Sequence, residues 1–554
     1  MKRVVIIGGM AAGCKVASRL RRLNSEVEII ILEQLPIVSF GACGMPFFIG
    51  GEIDNFEDLM TTSWGTLRSP EFFWNAKKIK VLVETTCTKI LPTKNQVEIL
   101  DHYGKQATLD YDYLVIATGS KPIKPKFPVD NSERISYFHS PLDAKNFRHL
   151  AERGKIENAM IIGGGFVGCE LAYSVSSLWG IKSTILEKEN FLLSRYFDSD
   201  FSKLLENIFK RNGIDVKLGV NVEQVSRDGN SIKVETDKGA FFSDFVFLAL
   251  GVIPNVELAR NSGVQLGETG GILVDQNLRT NFENIFAAGD CIQTKNLVTG
   301  KPEIFPLGSL ANRQGRVVAE NIIGIPSKFV GAVGSISLKI FDVIFGVTGL
   351  NINGCKDNGL DFNFAEGSFY DRAHYFPESN VLFAKILYEK SSGGLLGLQI
   401  CGKGEITRYI DVFSILLDKK ANYSELLNIE HSYTPPHSSP INPLNYLGGI
   451  IQNQEMFDVI PISSDVFLES LSNWVVIDLR RDSELQKMPL EFSCLHIDYD
   501  NIQNELWKIP LKESILCVCQ KGQRSLEVAI MLKHLGVDRV GYLPGGIQKL
   551  KAVL

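Results

Sequence analysis

Cys43 lies in the run SFGACGMPFF (39–48), among glycines and just ahead of a proline, with no second cysteine close enough to pair with it. A second cysteine, Cys519, opens the run CQKGQRS after an apolar stretch. Successive backbone N–H groups in such a loop form an anion nest, and Lys521 and Arg524 add positive charge. Cys519 is thereby suited to be held as a thiolate or persulfide. Cys517 precedes it by two residues. Cys-x-Cys is a metal-site fragment, but no partner ligands accompany it, so no metal site is expected.

Two glycine motifs suggest nucleotides. Gly163-x-Gly165-x-x-Gly168 follows an apolar strand pattern and opens a helical one. Glycines there permit a tight turn, close approach of backbone to a pyrophosphate, and close helix packing, while the helix N-terminus faces the phosphates. Glu187, 19 residues after Gly168, can accept hydrogen bonds from a ribose diol, which favours NADH and leaves NADPH as the alternative. The first motif keeps Gly8 and Gly13 but has Met10 in the middle place. Glu33, 20 residues after Gly13, restores it. Downstream, Thr118 and Gly119 in ATGS and Gly289 and Asp290 in AAGD add to the same site, with Asp290 placed to reach a ribityl hydroxyl. Two dinucleotide folds, one interrupted by the other, suit electron passage from nicotinamide to flavin.

The elements that must position these groups follow from pattern. RVVIIGG, AAGCKVASRLRRL and EVEIIILE read as a β-α-β unit, and AMIIGGG, FVGCELAYSVSSLWG and KSTILE as a second. YDYLVIATGSKP, FVFLALGVIPN and NIFAAGDC are further strands and turns. Residues 330–430 read as a separate α+β unit. SYTPPHSSPINPLNYLGG (432–449) reads as a linker or ordered loop, after which α/β alternation restarts. The expected class is α/β, with a discontinuous FAD-binding domain (1–120 and 246–325), an NAD(P)H-binding domain (121–245), an α+β dimerisation domain (326–449) and a C-terminal α/β domain (455–554). Net charge is -5, which gives no electrostatic argument for nucleic acid or an anionic membrane. The basic, apolar N-terminus mimics a signal peptide, but its glycines suit a first strand and turn. Ten scattered cysteines and no long apolar run point to a reducing, cytoplasmic location.

On these residues the first 450 or so positions resemble the single-cysteine branch of the pyridine nucleotide–disulfide oxidoreductases: coenzyme A-disulfide reductases, NADH oxidases and peroxidases, and persulfide reductases. Gly8, Gly13, Glu33, Ser39, Cys43, Gly44, Pro46, YDYLVIATGSKP, GGGFVGCE, FAAGDC and LANRQGR carry the resemblance. It implies FAD and NADH as cofactors and places Cys43 over the flavin at a helix start, where helix N–H groups and the dipole would lower its pKa. Two-cysteine reductases of the superfamily carry a second cysteine five residues on. Phe48 stands there, so Cys43 must cycle through a mixed disulfide, persulfide or sulfenic acid. AHYFPES and SYTPPHSS resemble segments of the coenzyme A-disulfide branch, implying that Tyr375 and Tyr433 approach Cys43 from the other subunit of a homodimer and assist the departing thiolate. Arg22 and Ser39 are implied substrate contacts, Arg22 with coenzyme A phosphate. Ala42 departs from the usual Asn and loosens the case for strict coenzyme A-disulfide specificity.

Residues 455–554 resemble a rhodanese domain through VVIDLRRDSEL, CQKGQRS and YLPGGIQ. The six-residue loop from Cys519 to Arg524 suits a sulfur atom rather than a phosphate. The combination implies an NADH-dependent flavoenzyme that reduces sulfur–sulfur bonds of small thiol species, coenzyme A persulfide or polysulfide first, with coenzyme A as substrate or bound cofactor. Coenzyme A-disulfide reduction is the alternative, and an NADH oxidase or peroxidase the more distant one.

Overall fold

The computed structural model describes residues 2–554. The chain forms two compact units, Met1–Lys188 with Val220–Ala332, and Glu189–Gly219 with Val333–Leu554.

The first unit holds two parallel nucleotide-type sheets. In one, strands run in the order Ile285–Ala287, Tyr113–Ile116, Arg3–Ile7, Glu28–Leu32, Ile79–Leu82. These strands are short β-branched runs because both faces are covered, and Val4, Val5, Ile6 and Ile31 are fully buried. Each such side chain contributes roughly 1.5–3 kcal/mol on burial. The other sheet carries Lys182–Leu186, Asn158–Ile162, Phe245–Leu248 and Ile135–Ser136, again parallel. The chain leaves the first sheet through Ser120–Pro122 and returns through Val252–Pro254, which pair antiparallel. Two antiparallel three-stranded ribbons are inserted, one starting at Thr85–Leu91 and one at Val222–Asp228.

The second unit combines an antiparallel sheet with a parallel one. The antiparallel order is Ile336–Ile340, Val343–Gly349, Leu395–Gly402, Val381–Glu389, Phe362–Tyr370. The parallel order is Ile460–Pro461, Val540–Tyr542, Ile515–Val518, Val475–Asp478, Leu495–His496. The helix Pro443–Phe457 joins them. Asn442 caps it, its side chain accepting from the Leu444 N–H, and Pro443 takes the first turn. The segment expected as linker or ordered loop, 432–449, is therefore helix from Pro443 on. Tyr388 donates to Glu455 at 2.6 Å and Gln454 donates to the Tyr542 hydroxyl at 2.9 Å, so the helix end is fixed to both sheets.

The expected 121–245 domain departs from the structure at both its edge and its middle. Phe245–Leu248 pairs with Asn158–Ile162, so the second sheet extends past residue 245. Residues 189–219 belong to the second unit, because the Asp198 N–H donates to Gln399 at 2.7 Å and Asp200 pairs with Lys385 and Lys549, all buried. Among the described residues no helix is long and apolar enough to cross a membrane.

Candidate active sites

The two glycine turns share one construction. At Gly8 the backbone has φ 108°, and a Cβ there would lie 2.1 Å from the Ala117 carbonyl oxygen. A Cβ at Gly13 would lie 1.9 Å from the Gly8 oxygen, so glycine is what lets the helix Ala11–Leu23 pack against its strand. Gly163 (φ 112°) and Gly168 repeat this, with clashes at 2.4 Å and 1.9 Å. Gly165 is different: a Cβ there meets nothing within 4 Å, so its open side is a cradle that a side chain would fill. The acids close each turn. Glu33 accepts the Gly9 N–H at 2.7 Å and the Leu35 N–H at 2.8 Å, and Glu187 accepts the Gly164 N–H at 2.5 Å. Burial pushes the Glu33 carboxyl up, against backbone N–H bonds that lower it.

Thr118, Gly119, Gly289 and Asp290 gather beside the first turn. Thr118 donates to the Asn255 carbonyl at 2.6 Å, and Gly119 takes φ 65°. The Gly289 N–H donates to Gln314 at 2.7 Å, and Asp290 accepts from the Ser120 hydroxyl at 3.1 Å. Burial raises the Asp290 pKa, offset in part by Ser120 and His139. Missing from the sequence reading, Gln314 is buried in LANRQGR and holds the Gly289 turn. These residues fit a dinucleotide: the Gly8–Gly13 turn brings bare backbone N–H groups to a helix start, where a pyrophosphate needs them.

Cys43 sits in the 3-10 turn Ala42–Gly44, which runs directly into the short helix Met45–Ile49. The residue is exposed. Burial of the thiol raises its pKa, and the Glu170 and Asp290 carboxylates raise it further. A backbone N–H bond acts the other way, in the direction expected of a helix start, although that helix has only five residues. Glu170 itself is pushed up to about 7 by burial. Ser39 is held at φ 57°, its N–H donating to the Gly9 carbonyl, and so ties the Cys43 loop to the first turn. Arg22 is exposed near the end of its helix, while its neighbour Arg21 is spent on backbone carbonyls including Lys77 and Val27.

In the second unit, Tyr375 and Tyr433 come together although 58 residues separate them in sequence. Their hydroxyls hydrogen-bond, which raises the Tyr433 pKa, and both rings are largely exposed.

Cys519 ends the strand Ile515–Val518 and is buried. Its sulfur accepts the Gly522 N–H at 3.1 Å and the Ser525 N–H at 3.4 Å, and the Ser525 hydroxyl lies 3.5 Å away. Gly522 takes φ 97°, and a Cβ there would meet the Gly545 nitrogen at 2.8 Å. The loop is braced from behind by the Ile547 N–H on the Cys519 carbonyl (2.9 Å) and the Gln548 N–H on the Gln520 carbonyl (3.1 Å). Both expected cations lie at the loop, and Arg524 hydrogen-bonds the Cys519 sulfur. Arg524 makes a two-point pair with Glu484 at 2.7 and 2.9 Å, and Lys521 lies over the Tyr370 ring, 3.1 Å from its centroid. Glu484 was invisible as a partner because it lies 40 residues from Arg524.

Comparison with known proteins agrees with this architecture. The profile of the family "Pyridine nucleotide-disulphide oxidoreductase" matches residues 2–315. Among curated relatives, an NADH oxidase of Methanocaldococcus jannaschii is 29% identical over 443 residues, 80% of this chain and 97% of its own length. The NAD(P)H coenzyme A polysulfide/persulfide reductase of Pyrococcus horikoshii is 31% identical over 451 residues, 81% of this chain and 98% of its own. Among solved structures, a NAD-dependent persulfide reductase from A. fulgidus superposes with TM-score 0.94 at 34% identity, covering 99% of both chains. The reduced CoADR-RHD of Bacillus anthracis superposes with TM-score 0.93 at 28% identity, covering 100% of this chain and 98% of that one.

Proposed function

The chain belongs to the pyridine nucleotide-disulphide oxidoreductase family, and from that premise we propose that it reduces the sulfur–sulfur bond of a small-thiol persulfide, such as coenzyme A persulfide or polysulfide, with NADH as reductant. It is an NAD(P)H-dependent flavoprotein oxidoreductase acting on sulfur, with two interleaved Rossmann-like folds, an α+β domain and a C-terminal rhodanese domain. The observation that carries the reading is the pairing, in one chain, of a lone Cys43 beside two nucleotide turns with a Cys519 cradle built for one sulfur.

FAD, when bound, relays the two electrons of NADH to the sulfur site. Gly8, Gly13, Glu33, Thr118, Gly119, Gly289 and Asp290 would hold it; Gly163, Gly165, Gly168 and Glu187 would hold NADH. In our reading the Cys43 thiolate attacks the carbon-bearing sulfur of R–S–SH. A Cys43–S–S–R bond forms, the S–S bond of the persulfide breaks, and hydrosulfide departs with the electron pair. Two electrons then split the mixed disulfide into Cys43 thiolate and R–S⁻. The Tyr375–Tyr433 pair protonates or hydrogen-bonds the departing thiolate, each pair serving the Cys43 of the other subunit in a homodimer. Cys519, steadied by its backbone N–H donors and with Arg524 alongside, carries sulfane sulfur as a persulfide. Arg22 and Ser39 contact substrate.

We further propose the division 1–120 with 246–325, 121–245, 326–449 and 455–554 as functional domains, adjusted so that Phe245–Leu248 stays with the second sheet and residues 189–219 go with the second unit. A cytoplasmic location accords with ten free cysteines. Coenzyme A-disulfide reduction uses the same Cys43 chemistry without sulfide release, and the CoADR-RHD likeness favours keeping it as the second reading. Cys43→Ser should abolish reduction of every sulfur acceptor. Cys519→Ser should slow turnover on polysulfide; unchanged turnover would remove Cys519 from the cycle.

A further inference from the structure

We infer that Trp179 and Arg148 are positioning residues for Cys43: by fixing the far end of the short helix that the cysteine leads into, they hold its sulfur in line for attack on a sulfur–sulfur bond. This rests on the reading of Cys43 as the nucleophile and deepens it by naming what aims it.

Cys43 has little structure of its own to hold it. It lies in a three-residue 3-10 turn that runs into the five-residue helix Met45–Ile49. A helix that short is not stable alone, and its last carbonyls need partners from elsewhere. Side chains supply them. The Trp179 indole N–H donates to the Ile49 carbonyl at 2.6 Å. Arg148 Nη1 donates to the Phe48 carbonyl at 2.8 Å and to the Ile53 carbonyl at 3.0 Å. The same guanidinium lies 4.5 Å from the centre of the Phe48 ring.

Both donors stand on helices that are anchored independently of Cys43. Arg148 belongs to the helix Pro141–Glu152, which is capped by Ser140 and Asp143 and held by the fully buried Phe147. Its Nε donates to Glu152 at 3.0 Å, which keeps the guanidinium in place. Trp179 is the last residue of the helix Phe166–Trp179, which starts at the second glycine turn. Glu170, Tyr173, Ser174 and Leu178 share one face of that helix, three or four residues apart. That face follows the Cys43 segment. Glu170 acts on the thiol, and the Tyr173 hydroxyl donates to Glu52 at 2.5 Å. A Cβ on Gly50 would lie 3.1 Å from Ser174 Cα, and one on Gly51 would lie 2.2 Å from Leu178 Cδ2. The glycine pair after the Cys43 helix therefore lets the chain close on this face, and the Trp179 N–H fastens it there.

The step so served is sensitive to aim. The Cys43 thiolate attacks the carbon-bearing sulfur of R–S–SH, a Sγ–S bond forms, the S–S bond breaks, and hydrosulfide leaves with the electron pair. A misplacement of about 1 Å can cost on the order of 100-fold in such a step.

The test uses the full-length, FAD-loaded protein, reduced with dithiothreitol and desalted. It is mixed with coenzyme A persulfide without NADH, quenched at intervals, and the Cys43–coenzyme A adduct is read by intact mass, with Cys43→Ser as background. Flavin reduction by NADH is followed separately by stopped flow. Trp179→Phe, which keeps the ring and loses the N–H, should form the adduct roughly fivefold more slowly or worse. Arg148→Ala should do the same, and Arg148→Lys should recover part of the loss. Flavin reduction should stay within about twofold of the parent in all three, because the second glycine turn is untouched. A smaller fall in adduct formation in either Trp179→Phe or Arg148→Ala overturns the role of that residue. Adduct formation and flavin reduction falling together would mark a merely structural role and overturn the inference for both. If the parent forms no adduct that Cys43→Ser removes, the reading of Cys43 itself falls, and this inference with it.

Discussion

Replacing Lys549 by Met tests how the second unit is held together. Lys549 and Lys385 are both fully buried and share Asp200 and Glu366, with Asp198 adding a third carboxylate on Lys385. Burial opposes the Asp200 charge, but the two ammonium groups overcome it and hold its pKa far below the usual carboxylate range. Glu366 shifts the other way, its carboxyl pushed up by burial despite Lys549 at 2.7 Å. Lys549→Met leaves three buried carboxylates on one cation, Lys385. Removing one partner of a buried pair costs about 3–5 kcal/mol. For a unit of this size that is a fall of roughly 6–20 °C in Tm, at about 2–4 °C per kcal/mol. Thermal and urea unfolding of the full chain followed by circular dichroism measure it. Adding Glu366→Gln to Lys549→Met should restore part of the loss, because it removes the carboxylate that lost its cation; such coupling is on the order of 0.5–3 kcal/mol. A Lys549→Met protein within about 1 kcal/mol of the parent, or a strictly additive double variant, would refute the reasoning.

Other consequences are equally direct. Gly168→Ala drives a methyl into the Gly163 carbonyl and should abolish soluble folded protein, whereas Gly165→Ala, with open space at its Cβ, should fold normally and raise KM for NADH at least tenfold. Glu170, with a folded pKa of about 7 against an ordinary 4.5, favours the fold as the neutral acid. Its contribution is full below pH 4.5 and is lost as pH rises through 7, up to about 3 kcal/mol at 1.36 kcal/mol per pKa unit, so Glu170→Gln should flatten that part of the stability–pH curve. The same variant removes a carboxylate facing Cys43 and should lower the pH midpoint of Cys43 alkylation by iodoacetamide in the FAD-free protein. Tyr375→Phe with Tyr433→Phe should lower kcat on persulfide with little change in KM for NADH, read by steady-state kinetics.

The nucleotide turns were legible because their chemistry is local. Glycine spacing and an acid about 20 residues on report one strand, one turn and one helix start, and Gly8, Gly13 and Glu33 fold as their spacing demands. The Cys519 cradle was legible for the same reason, since its N–H donors come from residues 522 and 525. What escaped was non-local. The transfer of 189–219 to the second unit depends on Asp198 and Asp200 meeting Lys385 and Lys549 across long stretches of chain, and no periodicity in α-helix Ser199–Arg211 announces it. Glu484 on Arg524 and Tyr370 under Lys521 escaped likewise. The influence of Glu170 on the Cys43 thiol escaped because it lies 127 residues away, on the helix that serves the other nucleotide turn.

The central claim is tested most directly by anaerobic NADH oxidation with the FAD-loaded protein, comparing coenzyme A persulfide with coenzyme A disulfide while assaying released sulfide. The account predicts faster turnover on the persulfide, with one hydrosulfide released per NADH consumed. Faster turnover on the disulfide, with no sulfide, would contradict it.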